Sequence, residues 1–396
     1  MGLRSRLAAA PVVRRAWHAA DARRSARAAG TTRVRRAAAR LFIGPVNSAG
    51  QGFAWARAAE RLPGVAAADF MYRDAADVFG FRADHSVGTV FFRTNRPWQR
   101  AQRRAILRRF SHVMIESGRQ VLGPDETVDE QIARMRAKGI SVALVFHGSD
   151  LRIPSAHLAR EPDSPFHATG YPETPRLEEI ARRNHRLIDV SGLPVFVSTP
   201  DLLEDAPGAT WLPVVVDPER WRSAAPAAPL MRERPVVVHA PSNAGLKGSD
   251  LIAETLRRLD AEGVVEYREL SGVPAGEMPR HYGTADVVLD QFSLGIYGVA
   301  ACEAMASGRL VISHVSASVR STVETVAGHR LPILESTAAD LEETLRAVVA
   351  APAAYREIAA RGPRFVAEVH DGRRSALVLA SFLNVEPAAS SRPVEE

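Results

Sequence analysis

The chain has one cysteine, only two lysines, and no apolar run long enough to cross a bilayer. A lone thiol, Cys302, excludes an intramolecular disulfide and suits a reducing compartment, so a cytoplasmic location is expected. Every internal apolar run is broken by charge, Gly or Pro well short of the roughly 20 residues a spanning helix needs. No Cys/His cluster has zinc spacing and HExxH is missing, which removes the common zinc-site signatures. What remains is 396 residues with 46% hydrophobic content, enough for two ordinary cores.

Charge is unevenly placed. The formal net charge is +6, yet residues 1–40 alone hold eleven Arg against one acid, Asp21, for +10, which leaves −4 for the remainder. This arm lacks the apolar segment of a secretory signal, although its Arg/Ala/Ser content mimics a transit peptide. It reads as a helical or disordered basic appendage. Attachment to anionic lipid or another polyanion, at about 1 kcal/mol per basic residue near a charged membrane, is one reading. A solvated tail is the other, in a chain with 49 Arg and two Lys. RTNRPWQRAQRRAILRR, residues 93–109, is a second basic stretch with Trp98 interleaved. It fits a helix lying on a membrane at the cytoplasmic face, or an ordinary solvated helix face. The acidic body argues against nucleic acid as the main partner.

Short apolar runs alternate with helical patterns, the signature of an α/β fold. Strands are expected near 41–46, 89–92, 112–116, 141–146 and 195–198. Beyond a Pro/Ala/Arg-rich segment they resume near 236–240, 264–270, 287–292 and 310–315. Two doubly wound, Rossmann-like domains in tandem follow, at 41–216 and 236–370. Residues 217–235 would form a linker, 371–385 a C-terminal helix and 386–396 a tail.

Open parallel sheets bind ligands where strand ends lead into helix N-termini, and four such places carry chemistry. In NSAGQGF (47–53), Gly50 and Gly52 let backbone amides approach a phosphate or sugar. The third glycine of GxGxxG is replaced by Trp55, and a plain tight turn explains the loop as well. In HGSD (147–150), His147 projects from a strand end toward a substrate oxygen, or is a turn residue ahead of a helix capped by Ser149 or Asp150. In HAPSNAGLKGSD (239–250), Lys247 beside Gly248 sets a cation and free amides where a diphosphate would sit, without a Walker pattern. In LGIYGVAACEAMASG (294–308), Glu303 is a lone carboxylate on a helix of Ala, Cys and Met. Burying it unpaired costs several kcal/mol, against about 0.3–1 returned by a helix terminus. Vicinal ribose hydroxyls supply two donors at carboxylate spacing; an arginine elsewhere in the chain is the competing partner.

HGSD, STPDLLEDAPGATWLPVVVD (198–217), HAPSNAGLKGSD and YGVAACEAMASGRLVIS (297–313), taken in order, resemble retaining nucleotide-sugar glycosyltransferases of the GT-B architecture, family 4 type. The resemblance runs over about residues 41–383 and is most specific in its C-terminal third. It implies two Rossmann-like domains facing across a cleft. The donor nucleotide would sit mainly on the second domain, and a final helix, HDGRRSALVLASFL, would cross back to the first. By position, Glu303 resembles the ribose-binding second Glu of the E-x7-E motif and Lys247 the diphosphate-binding lysine. Ser242, Asn243, Gly295, Tyr297 and Gly298 are assigned to the donor with them. His147 resembles the histidine near the transferred sugar, and Gly50 and Gly52 the acceptor-side loop. The implied activity is hexosyl transfer from a UDP- or GDP-type donor to a saccharide, lipid-linked or small-molecule acceptor, with retention and no cofactor or metal; no DxD triplet occurs.

Two positions depart from the pattern. The first Glu of E-x7-E falls on Gly295 and the usual phosphate arginine on Ser242. Two rival readings follow, a nucleotide-sugar epimerase on the same architecture and a degenerate, non-catalytic nucleotide-sugar or polyanion binder.

Overall fold

Successive side chains along a strand face opposite ways. In β1 (Ala39–Gly44), Leu41 and Ile43 accordingly enter one core and Phe42 the other, and all three are fully buried. A strand covered on both faces belongs in the middle of a parallel sheet, and the computed structural model, which describes residues 11–225 and 227–387, places it there. β1 lies between β2 (Val65–Arg73) and β4 (His112–Glu116). With β3 (His85–Gly88), β5 (Ser141–Phe146), β6 (Val195–Val197) and β7 (Thr210–Trp211), they form a seven-stranded parallel sheet of order 3-2-1-4-5-6-7. The second sheet has five parallel strands, β8 (Val236–His239), β9 (Glu266–Glu269), β10 (Val287–Leu289), β11 (Leu310–Ser313) and β12 (Leu334–Glu335), in the order 12-11-10-8-9. Each sheet is flanked by a buried apolar cluster on either face. Two doubly wound α/β units result, as the alternating pattern requires.

The helix Arg373–Leu383 returns from the second unit to the first. Ala376, Leu379, Ala380 and Leu383, at helical spacing, join the core that holds Leu41 and Trp55. Between the units runs the segment 213–216. Pro213 O accepts from Trp55 Nε1 (2.9 Å) and Ser375 Oγ (2.8 Å), and Gln51 exchanges two hydrogen bonds with the Val215 backbone. On the other side of the cleft the Nε2 of His314 meets Glu161 of the first unit (3.0 Å), and its Nδ1 meets Glu335 (2.7 Å). Those hydrogen bonds raise the His314 pKa to about 9, so this bridge between the units is charged at neutral pH.

Several sequence expectations are corrected. TVFF at 89–92 is part of the helix Thr89–Thr94, in which Phe92 is buried and Val90 is 75% exposed; the strand lies just upstream at 85–88. β2 went unread because VAAAD is alanine-rich and carries a charge, although Asp69 is wholly buried and accepts the Asp84 backbone N–H at 2.7 Å. The 217–235 segment is not a bare linker: the helix Pro218–Ser223 buries Trp221 against Tyr282, and Leu230 enters the second unit's core. Nor is the basic arm an appendage throughout. Residues 1–10 lie outside the described residues, but the helix Pro11–Ala29 packs along the helix Arg96–Arg109. Trp98 Nε1 donates to Gly30 O (2.8 Å), and Thr32 is buried against Gln102.

Candidate functional site: the cleft between the two sheets

In a doubly wound sheet a crevice opens where neighbouring strands send their connections to opposite sides. The order places these points between β1 and β4 in the first unit and between β8 and β10 in the second. A cavity of about 270 Å³ lies in the cleft between them, lined by Ser48, Ala49, Gln51 and His147 from one side and by Ser242, Lys247, Asp290, Gly298 and Glu303 from the other. A wider cavity of about 950 Å³ adjoins it and shares Ala49, Gln51 and Glu303.

The helix Val299–Ala306 has Ala301, Cys302, Ala304, Met305 and Ala306 buried around it, and Glu303 is its one charged side chain, facing both cavities. Its carboxylate has no hydrogen bond or ion pair among the described residues. Burial drives its pKa up to about 8, against the opposing pull of Arg220 and Lys247. The competing reading, a carboxylate clamped by an internal guanidinium, is therefore not met among the described residues. Gly298, Val299 and Ala300, whose amides belong to the first turn of this helix, also line the cavity.

Lys247 ends a short helical turn, after which Gly248 adopts φ +71°. A Cβ at Gly248 would lie 2.2 Å from Ser293 Oγ, so only glycine lets this loop close on the neighbouring one. The Lys247 ammonium is paired with Asp290, a buried acid just beyond β10 whose second oxygen takes the Gly298 amide at 3.4 Å.

Four expected residues face elsewhere. Asn243 caps its own turn through Leu246 N (3.2 Å) and donates to Tyr171 across the cleft (2.9 Å). Tyr297 is core, its hydroxyl on His370 at 3.2 Å. Gly52 lies beneath the loop, against Asn47 and Glu116. Gly295 adopts φ +64°, a left-handed conformation that favours glycine, and the Glu161 carboxylate lies where its side chain would start, 2.5 Å from an ideal Cβ. The position of the family's first glutamate is thus taken by a left-handed turn beside the Glu161–His314 bridge. Gln291 shapes this turn instead, accepting from Leu294 N (2.7 Å) and donating to His314 O (2.7 Å). Gly50 does reach the site, lining the wider cavity.

His147 ends in a hydrogen bond to the wholly buried Glu116 (Nε2 to Oε1, 3.2 Å), its ring stacked on Trp55 at 5.5 Å. Burial alone lowers its pKa; the hydrogen bond and charge of Glu116, with Asp150, outweigh it and raise the pKa above the usual value. Glu116 and Asp290 were both missed from sequence. Each is an acid at the end of an apolar strand (HVMIE, VVLD), which is the signal that would have found them.

No family model matches the chain, and no curated protein matches its sequence. By structure it is similar to a sucrose-phosphate synthase from Thermosynechococcus elongatus, at 13% identity and TM-score 0.53 over 87% of this chain and 98% of that one. HepE of Anabaena, in complex with UDP and glucose, is similar at 12% identity and TM-score 0.56, over 87% and 99% of the two chains. A glycosyltransferase from Rickettsia africae is similar at 10% identity and TM-score 0.52, over 87% and 98%. This is a likeness of fold. The chain has the GT-B architecture, two Rossmann-like domains facing across a cleft.

Proposed function

We propose that this protein is a glycosyltransferase that moves a hexosyl group from a nucleoside-diphosphate sugar to an acceptor on the first domain, with retention and without a metal ion. The observation that carries the reading is Glu303, an unpartnered acid in the cleft beside a lysine and a helix N-terminus. A vicinal diol gives that carboxylate the two donors it lacks. With the ribose there, the diphosphate reaches Lys247 and the amides of Val299 and Ala300, where cation and helix terminus both favour negative charge. As the sugar–phosphate bond breaks, charge grows on the leaving diphosphate, and the cation and amide donors of the cleft stabilise it. His147 already carries a carboxylate partner on Nε2, which favours its imidazolium form. In that form it can donate to a substrate oxygen. The HepE complexes with UDP and with UDP-glucose support a uridine donor.

A thermal-shift screen of UDP, GDP, ADP and their sugars tests the reading. One base is expected to raise Tm by roughly 5 °C near 100 times its Kd, from about 2.7 kcal/mol of linkage. Absence of any shift contradicts it.

The acceptor side carries a membrane assignment. Arg23, Arg24, Arg27, Arg100, Arg104 and Arg108 are exposed on the two helices that pack together, and no ion pair among the described residues engages them. We place this surface against anionic lipid, with a lipid-linked acceptor at hand. Replacing Arg100, Arg104 and Arg108 by Gln is expected to weaken sedimentation with phosphatidylglycerol vesicles by about tenfold or more; unchanged sedimentation rejects the assignment. No described helix is long and apolar enough to cross a membrane.

A further inference from the structure

Glu116 closes β4 at the first domain's switch point, is wholly buried, and divides its two oxygens between two parts of the cleft. Oε2 accepts the backbone amides of Val46 (2.7 Å) and Asn47 (2.8 Å), where β1 turns into the glycine loop. Oε1 accepts from His147 Nε2. The loop is built around this carboxylate. Asn47 takes a left-handed φ of 52° and its Oδ1 accepts Phe53 N at 3.0 Å. A Cβ at Gly52 would sit 3.3 Å from both Asn47 Oδ1 and Glu116 Oε1. Trp55 stacks on one face of the imidazole with an interplanar angle of 13°, and the backbone N–H of His147 is bound by Asp150 (2.9 and 3.1 Å). Nδ1 has no partner among the described residues and is the nitrogen left to meet a ligand.

We infer that Glu116 is the positioning residue of the cleft, one carboxylate that fixes the acceptor-side loop and at the same time fixes the orientation and charge of His147. The inference rests on the glycosyl-transfer reading for its consequences in turnover, but not for its geometry. The charged groups facing the ring are Glu116 beneath it, Asp150 on its own loop and Arg119 from the turn after β4; Glu116 and Asp150 favour the imidazolium and Arg119 opposes it. Removing the charge of Glu116 while keeping its shape thus leaves the loop amides an acceptor, but turns an amide N–H toward Nε2 and favours a neutral ring.

Glu116→Gln is the test, read by the pH profile of kcat and by NMR titration of the His147 ring, assigned by its loss in His147→Gln. In the wild type His147 is expected to titrate above an ordinary histidine. In Glu116→Gln its pKa is expected to fall by one unit or more, and the basic limb of kcat to move with it, with kcat lowered roughly 10- to 100-fold and donor KM little changed. Glu116→Asp, which retains the charge, should keep the limb near its wild-type position. Lost activity with an unmoved limb and an unmoved His147 titration would reduce Glu116 to a structural role and overturn the inference. If Glu116→Gln fails to fold, a wild-type His147 that titrates at or below the usual value overturns it alone. Should no nucleotide bind the wild type, the transfer reading fails, while the His147 titration still decides the role of Glu116.

Discussion

Glu303→Gln is expected to stabilise the ligand-free protein and to weaken nucleotide binding, two opposite effects from one carboxyl. The ordinary Glu pKa of 4.5 is raised to about 8 in the fold. Between those values the folded chain keeps a proton that the unfolded chain releases, so stability is full below pH 4.5 and declines as pH rises toward 8. Glutamine removes that penalty. At pH 8 the gain should be about 1–3 kcal/mol, a Tm rise of roughly 3–8 °C, and it should vanish near pH 4.5. Binding should move the other way. Loss of hydrogen bonds to a charged acceptor, about 2–3 kcal/mol, corresponds to a roughly 30- to 150-fold weaker Kd for the nucleoside diphosphate that the screen selects. Wild-type affinity should itself increase as pH rises to about 8, because hydroxyl donors bind the carboxylate better than the acid. Thermal unfolding and calorimetric titration at both pH values check each sign; a purely structural glutamate would lose stability on replacement.

The second large effect belongs to Lys247. Lys247→Ala is expected to reduce kcat/KM roughly 100- to 1000-fold, the scale for losing a preorganised charge at a developing anion. It also leaves Asp290 buried without its cation, which should destabilise the fold by about 3 kcal/mol. The two losses separate in the double variant. Lys247→Ala with Asp290→Asn should recover most of the stability and none of the turnover. Recovery of both would mean that the lysine only neutralises the aspartate.

What was legible in the sequence was the framework that physics repeats. HVMIE and SVALVF hold the apolar runs VMI and VALVF and appear as β4 and β5 at the expected residues. The amphipathic stripes of residues 249–261 and 373–383 appear as helices packed on their sheets. What was not legible depends on pairings far apart in the chain. A buried acid within VAAAD reads as a break until Asp84 is placed beside it, 15 residues on. Asn243 looks like a ligand until Tyr171 arrives from the other domain, and Gly295 looks like a lost catalytic group until Glu161 fills the space beside it. Glu303 was legible because its neighbours in sequence are also its neighbours in the helix. Glu116 was not, because the residues that explain it lie near 46 and 147.

Everything functional depends on the ribose hydroxyls answering the free carboxyl in the cleft. The most direct measurement is calorimetric titration of the selected nucleoside diphosphate against its 2′-deoxy and 3′-deoxy analogues, into wild type and Glu303→Gln. In the wild type the deoxy analogues should bind about tenfold or more weakly, one charge-assisted hydrogen bond each, and in Glu303→Gln that difference should close. Equal affinity of the analogues and the parent for the wild type would contradict the assignment of the site.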